Sequence, residues 1–217
     1  GYLAPITLTA IGISNLAPEG QVPASVTYSF YIGAAVLVLC VIYSFIFIRE
    51  MPPREYAEYH GITKEQEESK EGMLTLLRKA PRTFWTVGLV QFFCWSAFLY
   101  MWTYTNGAIA DTVWGTTDTR SAAYQEAGNW VGVPFAVQAV GSVIWAVAIP
   151  MFKSHKTAYS LSLLLGAAGF ISTMFITNQY ALFISYMLIG CAWAAMLALP
   201  FTILTNSLSG KNMGTYL

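Results

Sequence analysis

Charge is what this chain has least of. Only 10% of its 217 residues are Asp, Glu, Lys or Arg, against roughly 25% in a soluble domain. Acids and bases balance to a formal net charge of zero, so no global field favours nucleic acid or an acidic partner. Cysteine is equally sparse. Cys40, Cys94 and Cys191 sit in separate apolar runs, none in a CxxC or another metal-ligand spacing. They read as small, buried apolar side chains, not as a disulfide framework or a metal site. His60 and His155 lie in polar links without a ligand partner at useful spacing. No nucleophile–base set and no phosphate-binding glycine loop is present, so the sequence predicts no enzyme, no metal and no cofactor. The amino end, Gly1-Tyr2-Leu3, has no basic region before an apolar core, so a secretory signal is not expected. The chain begins without Met and ends on Gly214-Thr215-Tyr216-Leu217, entering a new apolar stretch. Both ends read as cuts in a longer protein.

What fills the chain is hydrophobic sequence, 56% of all residues. Residues 2–13 are apolar but too short to cross a bilayer, and a link rich in breakers (Pro18, Gly20, Pro23) follows. Five long runs come next, at about 24–48, 83–106 (reaching at most Ala110), 129–151, 157–177 and 180–204. None contains Asp, Glu, Lys, Arg or His in its body. Each approaches or exceeds the ~20 residues a spanning helix needs. Period-two alternation is absent and lipid tolerates only helices or closed barrels. The expected fold is therefore all-α: a polytopic transmembrane bundle of about five full spans with truncated ends.

The basic residues set an orientation. Arg49, Arg54, Lys64, Lys70, Arg78, Lys79 and Arg82 share the first long link, Lys153 and Lys156 lie two spans later, and Lys211 two spans after that. Only Arg120 falls on the opposite side. The positive-inside rule assigns the crowded side to the cytoplasm. Residues 49–82 then form a cytoplasmic link between two membrane halves, 1–48 and 83–217. Within it, Thr63-Lys64-Glu65-Gln66 fits a capping box. Met73, Leu74, Leu76 and Leu77 lie along the membrane surface or in a solvated, partly helical linker. The outer loop, 107–128, is polar, with Trp114 and Trp130 placed as interface aromatics.

In the 83–106 run, Gln91, Trp95, Phe98, Trp102 and Asn106 recur at steps of three or four and form one helical stripe. Tyr100 and Tyr104 form a second pair. Aromatic rings stack on the C–H faces of sugars and amides bond hydroxyls, a set suited to a neutral polyhydroxy ligand in a mostly apolar pocket. A charged ligand would call for intramembrane charge, which is missing. The competing readings are helix packing and, for Trp102 and Tyr104, an interfacial belt. Gln138 is a second mid-span amide, either a ligand contact or an interhelical hydrogen bond. Trp193 stands among small residues, Gly190-Cys191-Ala192-Trp193-Ala194-Ala195, facing lipid or a cavity. Pro200 is expected to kink the inner end of its helix, where a gate would lie. Asp111, just beyond the 83–106 run, is a candidate for cation coupling or a solvated loop residue.

Several segments resemble a known family. Val90-Gln91-Phe92-Phe93-Cys94-Trp95 through Met101-Trp102-Thr103-Tyr104-Thr105 resembles the seventh helix of the disaccharide–cation symporter branch of the major facilitator superfamily, which includes sucrose and maltose transporters. Ala127-Gly128-Asn129-Trp130-Val131-Gly132 resembles the start of its eighth helix. Leu199-Pro200 through Asn206, with Ser209-Gly210-Lys211-Asn212-Met213-Gly214-Thr215-Tyr216-Leu217, resembles its helix 10–11 link. That link carries one basic residue, Lys211, where family members often have two. The resemblance implies that the chain runs from the end of helix 5 to the start of helix 11. It also implies alternating access around a midplane site faced by Gln91, Trp95, Trp102 and Gln138, with Pro200, Lys211 and Gly214 in the cytoplasmic gate. The partners it implies are the bilayer, a neutral sugar, a proton or other cation, and the missing amino-terminal half. The membrane it implies is a bacterial inner membrane. A facilitator of another neutral solute, or a non-transporting sugar sensor or assembly subunit, are the alternatives.

Overall fold

A computed structural model describes residues 4–14, 21–48, 55, 59 and 73–207. Among the described residues the chain is helical, without strands. The helices are α1 (Ala4–Ala10), α2 (Ala24–Phe47), α3 (Met73–Lys79), α4 (Arg82–Thr112), α5 (Ala122–Ala148, closed by a 3-10 turn at Ile149–Met151), α6 (His155–Ser172) and α7 (Leu182–Thr205). Four of these, α2, α4, α5 and α7, are long and apolar enough to cross a membrane. At 1.5 Å per residue even the 24 residues of α2 reach about 36 Å, beyond the ~30 Å hydrocarbon core. The fifth expected run is the exception. Its helix, α6, has 18 residues and opens on His155 and Lys156, so it is about 27 Å long with a polar first turn.

Local chemistry fixes the ends. Gly12, at φ 94°, closes α1, with Ile13 N–H on the Leu8 carbonyl and Gly12 N–H on that of Thr9, a Schellman arrangement. The Ser14 carbonyl then accepts from Ser25 N–H and seats the first turn of α2. The loop expected at 107–128 is shorter than the sequence suggested. The polar stretch 107–128 is mostly helix, because α4 continues to Thr112 and α5 begins at Ala122. Ser121 caps α5 by accepting from Tyr124 N–H, and only residues 113–121 remain as a turn. Ser154 caps α6 in the same way, accepting from Thr157 N–H. Asn178 accepts from the N–H groups of Tyr180 and Ala181, ending the α6–α7 turn. Within the long link, the segment read as surface-lying or partly helical linker forms α3, with Leu74, Arg78 and Lys79 exposed. The capping box at 63–66, His60, and the link residues Lys211 and Gly214 lie outside the described residues.

Helices α4 to α7 alternate in direction. Gln91 and Thr105 of α4 meet Met196 and Tyr186 of α7, an antiparallel pair. On the other side of α7, Trp130, Phe135 and Ser142 of α5 meet Phe183, Tyr186 and Gly190 in the same order, so α5 and α7 run parallel. α6 folds back on α7 as a hairpin, Ser172 against Ser185 and Gly166 against Ala192. Alternating direction is what consecutive membrane spans require. It places Arg82, Lys153 and Lys156 at one end of the bundle and Arg120 at the other.

α7 is the hub, packed against α4, α5 and α6 and carrying more of the buried residues than any other helix. Lipid tails are as apolar as Leu, so close packing, more than hydrophobic burial, holds such helices together. The sequence supplies it with small residues. A Cβ on Gly190 would collide with the Gln138 carbonyl, and one on Gly141 would sit 2.6 Å from the Met187 carbonyl oxygen. The α5 and α7 backbones are therefore in direct contact. α2 differs: apart from Ser25 in its first turn, none of its residues is buried. Cys191 is buried as expected and Cys94 half-buried, but Cys40 is exposed because it lies on this uncovered helix.

Candidate functional site

The stripe read from the α4 sequence forms one face, and α7 completes it. Trp193 projects between Trp95 and Trp102, with ring centroids 5.9 and 5.5 Å away, and the two α4 tryptophans are 6.4 Å apart. Edge-to-face geometry recurs in all three pairs, as the ring quadrupoles favour. Phe98, 2% exposed, forms the floor, 4.9 Å from Trp193 and 5.7 Å from Phe170 of α6. Trp95 and Trp102 keep 44% and 38% of their surface open. The result is an aromatic platform anchored from beneath and accessible from the side. The open choice for Trp193, lipid or cavity, resolves to membership of this platform.

The polar members of the stripe are placed differently. Gln91, one turn from Trp95, is engaged twice: its Nε2 donates to the Met196 carbonyl at 3.2 Å, and its Oε1 accepts from Tyr159 at 3.1 Å. One amide thus ties α4, α6 and α7. Asn106, at the other end of the platform, lies against Gly128 of α5 and has a buried Oδ1 with no partner among the described residues. Gln138 is 5% exposed at the α5–α7 seam, and its Oε1 is likewise buried and unpartnered. A buried amide oxygen in an apolar bundle is costly to leave unbonded. Both oxygens are points where water or a ligand hydroxyl would be favourable.

Tyr104 does not join the platform. It stacks on Tyr100, centroids 5.8 Å apart, about 200° around α4 from Trp102 at 100° per residue. The pair lines a separate cavity of about 340 Å³ between α4, α6 and α7. There Tyr186 donates to Thr105 Oγ1 at 3.3 Å. Asp111 is exposed on the last turn of α4, and no group of three His, Cys, Asp or Glu residues converges among the described residues. Pro200 is buried within α7, which continues past it to Thr205. Trp130, expected at the interface, packs against Tyr180 and Phe183, and with Trp114 lines a cavity of about 510 Å³ that reaches Thr9 of α1.

The sequence reading missed Tyr159 and Tyr186. Their signal was available: a buried tyrosine within an apolar run needs a partner for its hydroxyl, and both have one. Comparison with known proteins returns no matching family model, no matching curated protein and no matching solved structure.

Proposed function

We propose that this chain is part of a secondary transporter that moves a neutral polyhydroxy solute, a sugar, across a membrane by alternating access and in symport with a cation. The observation that carries this reading is the uncharged aromatic platform of Trp95, Trp102 and Trp193. Partly open indole faces offer stacking surfaces to sugar C–H groups. The unpartnered amide oxygens of Asn106 and Gln138 are buried in this arrangement and would accept from solute hydroxyls once a change of state opens them. The resemblance to the disaccharide–cation symporter branch, with its expected maltose- or sucrose-sized substrate, agrees with that chemistry. The resemblance puts the coupling acids in the first half of such a protein, and Asp111 is exposed at the end of α4. The basic end of the bundle, with Arg82, Lys153 and Lys156, is read as cytoplasmic, and the membrane as a bacterial inner membrane.

The test is uptake of labelled maltose and sucrose by transport-deficient cells expressing the complete coding sequence, with and without a protonophore. Accumulation that the protonophore abolishes, and that Trp102→Ala weakens at equal expression, supports proton-coupled sugar symport. Equilibration insensitive to the protonophore favours a facilitator. Binding without uptake favours a sensor. Neither binding nor uptake of either sugar by correctly inserted protein removes the disaccharide reading.

A further inference from the structure

Two adjoining cavities open at the end of the bundle where α4 and α6 begin. The outer one, about 360 Å³, is bordered by Lys153, Ser154, His155, Lys156 and Asn206. The inner one, about 350 Å³, runs along α4 and α6 past Arg82, Thr86, Val87, Val90 and Tyr159. They share Thr83, Lys156 and Ile203, so they are two chambers of one cleft. The cleft is amphipathic along its length. Lys153 and Lys156 stand at the outer chamber, Arg82 joins Lys156 at the inner one, and the far wall is Val87, Val90 and Ile203. Among the described residues no carboxylate lines either chamber.

We propose that this cleft binds an anionic phospholipid, with its phosphate among Arg82, Lys153 and Lys156 and one acyl chain along the valine wall. The inference rests on the membrane placement of the bundle and not on the transported solute. Three observations select a membrane lipid over a soluble anion. The basic groups lie at the ends of membrane-length helices, where headgroups are found. The apolar chamber continues inward from them, which a free phosphate would leave unused. And α6, about 27 Å long with a polar first turn, is shorter than the ~30 Å core, so the headgroup layer dips toward its start. The hydroxyls of Thr83 and Ser154 supply further donors for phosphate oxygens.

The experiment is native mass spectrometry of the purified full-length protein offered phosphatidylglycerol and phosphatidylcholine at equal mole fraction, repeated with inorganic phosphate in excess. Preferential retention of phosphatidylglycerol is expected, with on the order of a fivefold loss of affinity for each basic residue neutralised. Lys153→Gln and Lys156→Gln test that loss. Both side chains are exposed, so the variants keep the fold, and a melting curve checks it. Lys153→Arg and Lys156→Arg retain the preference. Equal retention of the two lipids, an unchanged preference in the glutamine variants, or complete displacement by inorganic phosphate would each overturn the proposal, the last in favour of a soluble-anion site.

Discussion

The side-chain amide of Gln91 donates to the backbone carbonyl of Met196, at 3.2 Å, across the α4–α7 interface. The reason lies four residues further along α7. Pro200 has no N–H, so the Met196 carbonyl has no helical donor. Membrane helices tolerate internal proline when a neighbour satisfies the freed group, and Gln91 does so here. Gln91, one of the candidate ligand contacts in the sequence, therefore has a structural task.

A double-mutant cycle checks that task. Gln91→Ala is expected to cost about 1 kcal/mol of stability, read as a lower melting temperature in detergent. Pro200→Ala restores an N–H for Met196, so Gln91→Ala in that background costs measurably less. Additive effects of the two substitutions would show that the amide does not serve the proline.

Solute recognition is tested at the platform. Trp102→Ala removes a partly open ring and is expected to weaken sugar binding by up to about tenfold, the ~1.5 kcal/mol upper range of an aromatic contact; the ring also packs edge-to-face on Trp193, so binding is read at a temperature where a melting curve shows the variant folded. Phe at the same position retains part of the affinity. Unaltered sugar binding in Trp95→Ala and Trp102→Ala alike would remove the platform as the site.

The glycine seam makes a sharper stability prediction. Gly190→Ala is expected to destabilise by about 1–3 kcal/mol through overpacking, because its methyl meets the Gln138 carbonyl and lies 2.9 Å from Ser142 N. Gly88→Ala, with nothing within 4 Å of its added carbon, is expected to gain about 0.5–1 kcal/mol from helix propensity. The comparison is a pair of unfolding curves. Equal effects at the two positions would mean that the seam is looser than described.

Thiol labelling tests how α2 is exposed. Cys40 is open on α2 and Cys191 is buried in α7. A membrane-permeant maleimide should modify Cys40 well before Cys191, while a charged, impermeant reagent leaves Cys40 unmodified in intact membranes. Rapid reaction with the impermeant reagent would place Cys40 in water instead of lipid.

The spans were readable in the sequence because bilayer solubility is a matter of composition over some twenty residues, and 24–48 and 180–204 emerge within two residues as α2 and α7. Boundaries set by single side chains were not. The polar loop at 107–128 hid the last turns of α4 and the first turns of α5, since helix capped at Ser121 needs no hydrophobicity. α6 ended early because the chain turns at Thr173–Phe175 and Asn178 starts the next helix. For the site, the α4 periodicity correctly put Trp95, Phe98 and Trp102 on one face. Trp193 could not be added to them from sequence, because its direction depends on how α7 crosses α4. The partner of Gln91 was invisible for the same reason: a freed carbonyl on another helix leaves no mark in local pattern.

At the α5–α7 seam, main chain lies on main chain where even a methyl group does not fit, and α6 is pressed onto α7 with Gly169 against the Ser185 carbonyl and Gly166 against the Ala192 methyl. Contacts of that kind have no slack, since sliding by one residue would drive a side chain into the opposing backbone. α4 is held otherwise, by indole and phenyl edges and the bonds of Gln91 and Tyr186, which can re-form after a rotation. The three later helices are thus locked backbone to backbone, while α4 is joined to them through side chains.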